Sequence, residues 1–258
     1  EPFENLFTQG MIYKDGWKMS KSKGNVVSPD DMVEKYGADT LRMYILFMAP
    51  PEKDAEWNDA GIEGIHRFIK RLWNNYYKVL NLLNSSNRDP HNLTSEEKSL
   101  RRKLHSVIKK IKEDIEGGFK FNTAIAGLME FNNQLMEYID HVQDPNSMLL
   151  EEIAEKIALI LSPFAPHMAE EMWKDLGKDT LIVNEKWPEY DPQALEQEEM
   201  TIVIQVNGKV RGKLVLPVDS SEDEIKNAAI KQVSKSVEGK TITNIIYVKE
   251  KLVNIVVK

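Results

Sequence analysis

Apolar residues recur at helical spacing through the middle of the chain, and this periodicity constrains the fold more than any other feature. Between 58 and 83 an apolar residue returns every three or four positions, and cationic residues lie opposite. Similar stretches occupy 95–116, 122–139 and 148–176, with Gly, Pro or Asn between them. Long amphipathic helices with short connections pack against one another, so the sequence predicts an antiparallel helix bundle over 51–184.

The first 50 residues have a different character. A strand is predicted to end at Tyr13, and Asp15-Gly16 is typical of a tight turn. Ser28-Pro29-Asp30-Asp31 is typical of a helix start, and Gly37 separates that helix from a second one over 38–47. Residues 1–27 hold too little apolar sequence to fold alone. We therefore expect 1–50 to be the C-terminal end of a larger domain.

The last 59 residues change from helical to strand periodicity. Alternating apolar residues precede and follow Asn207-Gly208, a helix is predicted over 222–233, and two further strands follow. The fold class is therefore mainly α, with a small ββαββ domain of α+β type over 200–258. We expect Val206 to face Val210, which requires a β-bulge or a third loop residue. Two prolines and six acidic residues over 185–199 predict a linker.

Charge and composition exclude several function classes. The formal net charge is -7, yet from Met200 onward 10 Lys and Arg stand against 6 Asp and Glu, so we expect nucleic-acid contact to be concentrated there. The absence of cysteine excludes disulfides and thiolate metal sites. Neither an apolar run of about 18 residues nor a signal-peptide pattern is found, so we expect a cytoplasmic chain without a membrane partner.

The strongest chemical signal is the segment Lys18–Gly24. It contains three lysines, two serines and a terminal glycine. Ammonium groups act as point charges toward phosphates, and hydroxyls can bond phosphate oxygens. Such a loop can stabilise charge that develops on a leaving pyrophosphate. The alternative interpretation is a solvated basic turn, but the strand and turn before it and the capped helix after it favour a phosphate loop.

The segment Lys18-Met19-Ser20-Lys21-Ser22 matches the KMSKS signature of class I aminoacyl-tRNA synthetases letter for letter. Residues 36–42 and 161–173 resemble the subgroup for leucine, isoleucine, valine and methionine. Residues 49–57 and 206–213 resemble the bacterial leucyl branch of that subgroup. The chain is thus similar to the C-terminal portion of such an enzyme.

The resemblance implies ATP as substrate, with Mg²⁺ expected to accompany it and no protein ligand for the metal identifiable. It implies leucine tRNA as a partner. Lys21 and Lys18 take the catalytic role, and Met19 holds the loop in place. The ATP-binding set is Lys18, Met19, Ser20, Lys21 and Ser22. The expected tRNA-binding set is Lys209, Arg211 and Lys213, together with Arg67, Lys70 and Arg71, although the last three also fit a solvated helix face.

One half of the family's ATP site is not in this sequence. The five histidines include no His-x-Gly-His pair, and the leucine pocket and editing insertion lie upstream in the family. We therefore predict that the chain alone is inactive and that it works with an N-terminal catalytic portion, in the same chain or as a separate subunit. Two alternatives stay open: a stand-alone tRNA-binding module that retains the loop as a relic, and a portion of an isoleucyl or valyl enzyme.

Overall fold

The computed structural model describes residues 2–83, 91–196, 199–218, 220–249 and 251–258. The chain divides into two compact units, Glu1–Leu195 and Glu196–Lys258. The predicted class is confirmed, since the first unit is largely helical and the second is a small α+β unit. In the described part of the first unit the strands are Ile12–Lys14 (β1), Trp17–Lys18 (β2) and Ala55–Glu56 (β3). The helices there are Pro29–Tyr36 (α1), Ala38–Met48 (α2), Asp59–Leu83 (α3), Ser95–Glu116 (α4), Phe121–His141 (α5), Ser147–Leu161 (α6) and Pro166–Asp175 (α7).

Side-chain caps explain where several of these helices begin. The Ser28 hydroxyl accepts the Asp31 N–H at the start of α1, and the Asn146 side chain accepts the Leu149 N–H at the start of α6. Thr94 and Glu97 form a capping box at the start of α4. The Thr94 hydroxyl accepts the N–H of Glu97 at 3.3 Å, and the Glu97 carboxylate accepts the N–H of Thr94 at 2.8 Å.

Helices α2 to α7 contribute to one apolar core. The stripe of α3 that the periodicity predicted is buried, with Ile62, Phe68 and Leu72 almost fully covered. Tyr76 is 1% exposed and donates a hydrogen bond to the Met172 carbonyl at 2.6 Å, so it is a packing residue rather than a base-stacking one. Trp73 is half-buried and contacts the same core. Because the apolar face of α3 packs against α5 and α6, the opposite, polar face of α3 is exposed to solvent.

The segment 185–195 differs from the predicted linker. Trp187 and Tyr190 pack on the bundle core, and the Asp191 carboxylate accepts a hydrogen bond from Arg101 of α4 at 2.9 Å. The first compact unit therefore extends to Leu195. Composition alone suggested a linker because 185–199 contains two prolines and six acidic residues, and the cationic partner of Asp191 lies 90 positions away in sequence.

The second unit contains the strands Glu199–Val206 (β4), Lys209–Pro217 (β5), Ile242–Val248 (β6) and Leu252–Val257 (β7), and the helices Glu222–Gln232 (α8) and Ser234–Val237 (α9). Its sheet has the order β5-β4-β7-β6, with β4 parallel to β7. One face packs against α8 around Ile202, Ile204 and Ile225.

The β4–β5 hairpin corrects the predicted register. Asn207 and Gly208 have φ values of 49° and 76°, so the loop has two residues and Val206 faces Lys209 rather than Val210. The expected bulge is present, but it lies further along β5, where Arg211 is left without a partner between Val210 and Gly212. The extra residue returns the apolar residues of β5 to the face that packs on α8.

Candidate functional site

The segment Lys18–Gly24 follows a tight hairpin in the first unit. Strands Ile12–Lys14 (β1) and Trp17–Lys18 (β2) pair antiparallel, and Asp15 and Gly16 supply positive φ values of 57° and 72° between them. Lys21–Lys23 then form one 3-10 turn that ends at Gly24, whose φ is 69°. The hairpin and the short turn place the lysines of the segment close together at the surface.

Asn25 holds the backbone of this loop in place. Its Oδ1 accepts the Ser20 N–H at 2.8 Å. Its Nδ2 lies within donating distance of the carbonyls of Lys14, Trp17 and Lys18, at 3.1, 3.3 and 3.4 Å. One amide side chain therefore joins both strands of the hairpin to the loop.

The base of the loop is supported by residues 51–57. Ala55–Glu56 (β3) pairs parallel with β1. The carboxylates of Asp54 and Glu56 accept the N–H groups of Met11 and Gly16 at 2.7 and 2.9 Å. Gly10 passes so close to Lys53 that a Cβ at Gly10 would lie 2.0 Å from the Lys53 carbonyl oxygen, which only glycine avoids.

The side chains of the loop divide into exposed and packed ones. Lys18 and Lys21 are exposed, and no carboxylate among the described residues pairs with them. Met19 is half-buried against the bundle core, and the Ser20 and Ser22 hydroxyls share a hydrogen bond at 2.8 Å. Lys23 lies over the exposed Trp17 ring, 3.8 Å from its centroid. Two exposed cations without a carboxylate partner in the described part of the chain therefore lie on the same loop as two hydroxyls, of which Ser22 is exposed and Ser20 half-buried.

A second group of cations lies on α3. Arg67, Lys70 and Arg71 are exposed and spaced so that they share one side of the helix, and no described carboxylate pairs with them. Lys70 also lines a surface groove with Trp73 and Met168, which has a volume of about 450 Å³. The three cations thus form an open basic face beside a partly apolar groove.

A third group lies on the hairpin of the second unit. Lys209, Arg211 and Lys213 are exposed on β5, around the bulge, without an ion pair among the described residues. The hairpin tip is held by Asn207, which exchanges two hydrogen bonds with the Val257 backbone at 2.9 and 3.0 Å, and the Asn254 side chain accepts the Gly208 N–H. These bonds give the three cations a rigid support.

In the part of the chain that the structure describes, no group of three or more His, Cys, Asp and Glu side chains could hold a metal ion. Within the same residues, no helix is both long and apolar enough to cross a bilayer.

Sequence reasoning missed three residues that shape this site. Asn25, Asp54 and Glu56 hold the loop and its base through backbone contacts. Asn25 directly follows the glycine that ends the loop, a position where a short amide often bonds the local backbone. The two carboxylates gave no local signal, because their partners lie 40 or more positions earlier.

Comparison with known proteins agrees with this geometry. Residues 97–226 match the family model described as the anticodon-binding domain of tRNA ligase, and residues 1–58 match the model of class I tRNA synthetases for I, L, M and V. The chain is 76% identical to a leucine–tRNA ligase of Fervidobacterium nodosum and 66% identical to one of Thermotoga maritima. Both alignments cover the whole chain and 32% of the relative, so the chain spans about a third of these ligases.

Among solved structures, the chain resembles the LeuRS of Agrobacterium radiobacter in a ternary complex with tRNA and LeuAMS. The TM-score is 0.74 and the identity 31%, over 100% of this chain and 33% of that one. The resemblance to the leucyl branch is therefore confirmed. Since the anticodon-binding model alone covers half of the chain, the chain belongs to the tRNA ligase family that carries this domain.

Proposed function

We propose that the chain acts as part of a leucine–tRNA ligase, in which it supplies the ATP loop and the surfaces that bind tRNA. The observation that supports this most directly is the exposure of Lys18 and Lys21, which have no carboxylate partner among the described residues, on a loop whose backbone Asn25 holds. A second support is the high sequence identity to leucine–tRNA ligases over the full length of the chain.

In the proposed first step the leucine carboxylate attacks the α-phosphorus of ATP, the bond to the β-phosphate oxygen breaks, and pyrophosphate leaves. Lys21 and Lys18 stabilise the negative charge that grows on the leaving group. The Ser20 and Ser22 hydroxyls bond phosphate oxygens, and Met19 packs on the bundle to hold the loop. Positioning and electrostatics suffice here, and no nucleophilic side chain is required.

In the second step a ribose hydroxyl at the 3′ end of tRNA attacks the adenylate carbonyl carbon, loses its proton, and AMP leaves. We propose that Lys209, Arg211 and Lys213 contact the phosphates of leucine tRNA, with Arg67, Lys70 and Arg71 as a second contact face. ATP carries Mg²⁺ as its usual counterion, and no ligand for it is assigned to this chain. The N-terminal catalytic portion as partner and a cytoplasmic location stay predictions.

Complementation tests this function. The chain is mixed with the N-terminal two thirds of the Fervidobacterium nodosum ligase, and leucylation of tRNA is measured. We expect activity from the mixture and none from the chain alone, because the His-x-Gly-His pair is contributed by the other portion. In the mixture, Lys21→Ala should abolish most of the activity, while the exposed Lys53→Ala should not.

The same mixture separates the alternatives. A stand-alone tRNA-binding module predicts that Lys21→Ala leaves every measured property unchanged. A portion of an isoleucyl or valyl enzyme predicts that this mixture does not charge leucine tRNA, because the tRNA surfaces of the chain would fit a different tRNA. The identities of the relatives favour leucine over both.

A further inference from the structure

Two segments that mark the family in sequence have no role in the proposed chemistry, and they meet in the structure. The first is 36–42, which ends α1 and begins α2. The second is 161–173, which ends α6, turns at Pro163 and continues as α7. More than 120 positions separate them, yet two side chains of α2 bond directly to the α6–α7 corner.

Asp39 caps a helix to which it does not belong. Its carboxylate accepts the N–H of Met168 at 2.7 Å and that of His167 at 3.4 Å, both in the first turn of α7. The His167 ring nitrogen Nδ1 lies 2.8 Å from the same carboxylate and donates to it. Ala165, at the N-cap of α7, offers no side-chain acceptor. Asp39 therefore supplies the anion that the positive end of α7 lacks.

Arg42 bonds the other helix end at this corner. One turn after Asp39, its Nε donates to the Pro163 carbonyl at 3.0 Å, just beyond the end of α6. Carbonyls at a helix C-terminus carry partial negative charge, so a cation is favourable there. Asp39 thus places a negative charge at the positive start of α7, and Arg42 places a positive charge just beyond the negative end of α6. We refer to Asp39 and Arg42 as the corner contact.

The same helix pair also bonds to α3. The Tyr36 hydroxyl donates to Glu63 at 3.3 Å, and the Thr40 hydroxyl lies 3.3 Å from His66 Nδ1. Arg67, the first cation of the basic α3 face, directly follows His66. Helices α1 and α2, which come straight after the ATP loop, are therefore held to both parts of the bundle that border the proposed tRNA surface.

The geometry points to Asp39 and Arg42 as positioning residues that fix the tRNA-binding bundle relative to the ATP loop. This inference rests on the proposed function. The loop itself is held independently, by Asn25 and by the β1–β3 pairing. Loss of the corner contact should then leave amino-acid activation intact. It should slow the transfer step, because tRNA bound to a loosened bundle presents its 3′ end in the wrong place.

The test uses a whole leucine–tRNA ligase that carries this segment, with Asp39→Ala, Asp39→Glu and Arg42→Gln. Leucine-dependent pyrophosphate exchange should stay within about twofold of the parent. The kcat of leucylation should fall about tenfold with Asp39→Ala, with little change in KM for tRNA, because the carboxylate loses its charge-assisted contacts with the start of α7. Asp39→Glu should restore part of that kcat. Asp30→Ala, an exposed aspartate in the first turn of α1, should change neither reaction.

Two results would overturn the inference. One is an equal loss in exchange and leucylation, which indicates a purely structural role, and the other is an unchanged kcat in variants that melt like the parent. If Asp39→Ala fails to fold, Arg42→Gln decides, because it removes one bond from an exposed side chain. Failure of the proposed function gives a different result. In that case Lys21→Ala would exchange pyrophosphate at the same rate as the parent enzyme.

Discussion

At the scale of single residues, the ATP loop depends on one amide side chain. We predict that Asn25→Ala lowers kcat/KM for ATP in pyrophosphate exchange by about tenfold or more, because the variant loses the bond to Ser20 and the contacts to three carbonyls. Steady-state exchange in the whole ligase, at varied ATP, measures this. Asn74→Ala, an exposed amide on α3, is the matched control. Equal rates for both variants would contradict the role given to Asn25.

Single residues also show where sequence reasoning ends. The loop could be predicted because its chemistry is written in consecutive positions, Lys18 to Ser22. Asp54 and Asp39 could not, because each bonds a backbone group 43 or more positions away, which only the tertiary fold brings close. Asp39 has a local explanation as an acidic residue in the first turn of α2, and nothing local shows that it caps α7 as well.

At the scale of elements, a polar network joins α4, α6 and the segment that follows α7. His105 is 1% exposed, its Nδ1 accepts the Asp191 N–H, and its Nε2 therefore carries the proton that faces Glu152 at 3.0 Å. Arg101 bonds Glu152 and Asp191. Burial alone would raise the pKa of Glu152, but the hydrogen bonds from His105 and Arg101 outweigh it and lower the pKa from 4.5 to about 2.

This network predicts a pH dependence of stability. A carboxylate with a lowered folded-state pKa stabilises the fold above its unfolded pKa, and the stabilisation is lost as pH falls from about 4.5 toward 2. We expect Glu152→Gln to lower the free energy of unfolding by about 2 to 3 kcal/mol at pH 7, with a difference from the parent that shrinks steadily below about pH 4.5. Urea unfolding followed by helical signal measures it. The exposed Glu151→Gln should show no such difference at any pH.

The helices and strands themselves were largely predictable, and the reason is local. Caps, glycines and prolines lie next to the residues they organise, so the bounds of α1, α2 and α3 follow from the sequence to within a residue or two. The register of β5 and the packing of 185–195 were not predictable in this way. The position of the bulge depends on which side chains of β5 pack on α8. Trp187 and Tyr190 lie in a segment whose composition is typical of a linker, and only the folded bundle provides the surface on which they pack.

At the scale of the whole molecule, the basic hairpin should account for much of the affinity for tRNA. We predict that changing Lys209, Arg211 and Lys213 together to Gln weakens binding of leucine tRNA and reduces the slope of log affinity against log salt by about 2 to 3, because phosphate contacts release counterions. Filter binding at several salt concentrations measures both. A control of equal charge change is Lys226, Lys240 and Lys258 to Gln. Equal losses from the two triples would show that net charge, rather than the hairpin, sets the affinity.

The central claim is that the loop Lys18 to Ser22 acts on ATP within a leucine–tRNA ligase. Leucine-dependent exchange of pyrophosphate into ATP by the whole ligase, without tRNA, tests it most directly. We predict that Lys21→Ala lowers kcat by about a hundredfold or more, since it removes a charge that contacts the leaving group, while Lys53→Ala stays at the parent rate. An unchanged exchange rate in a folded Lys21→Ala enzyme would contradict the account.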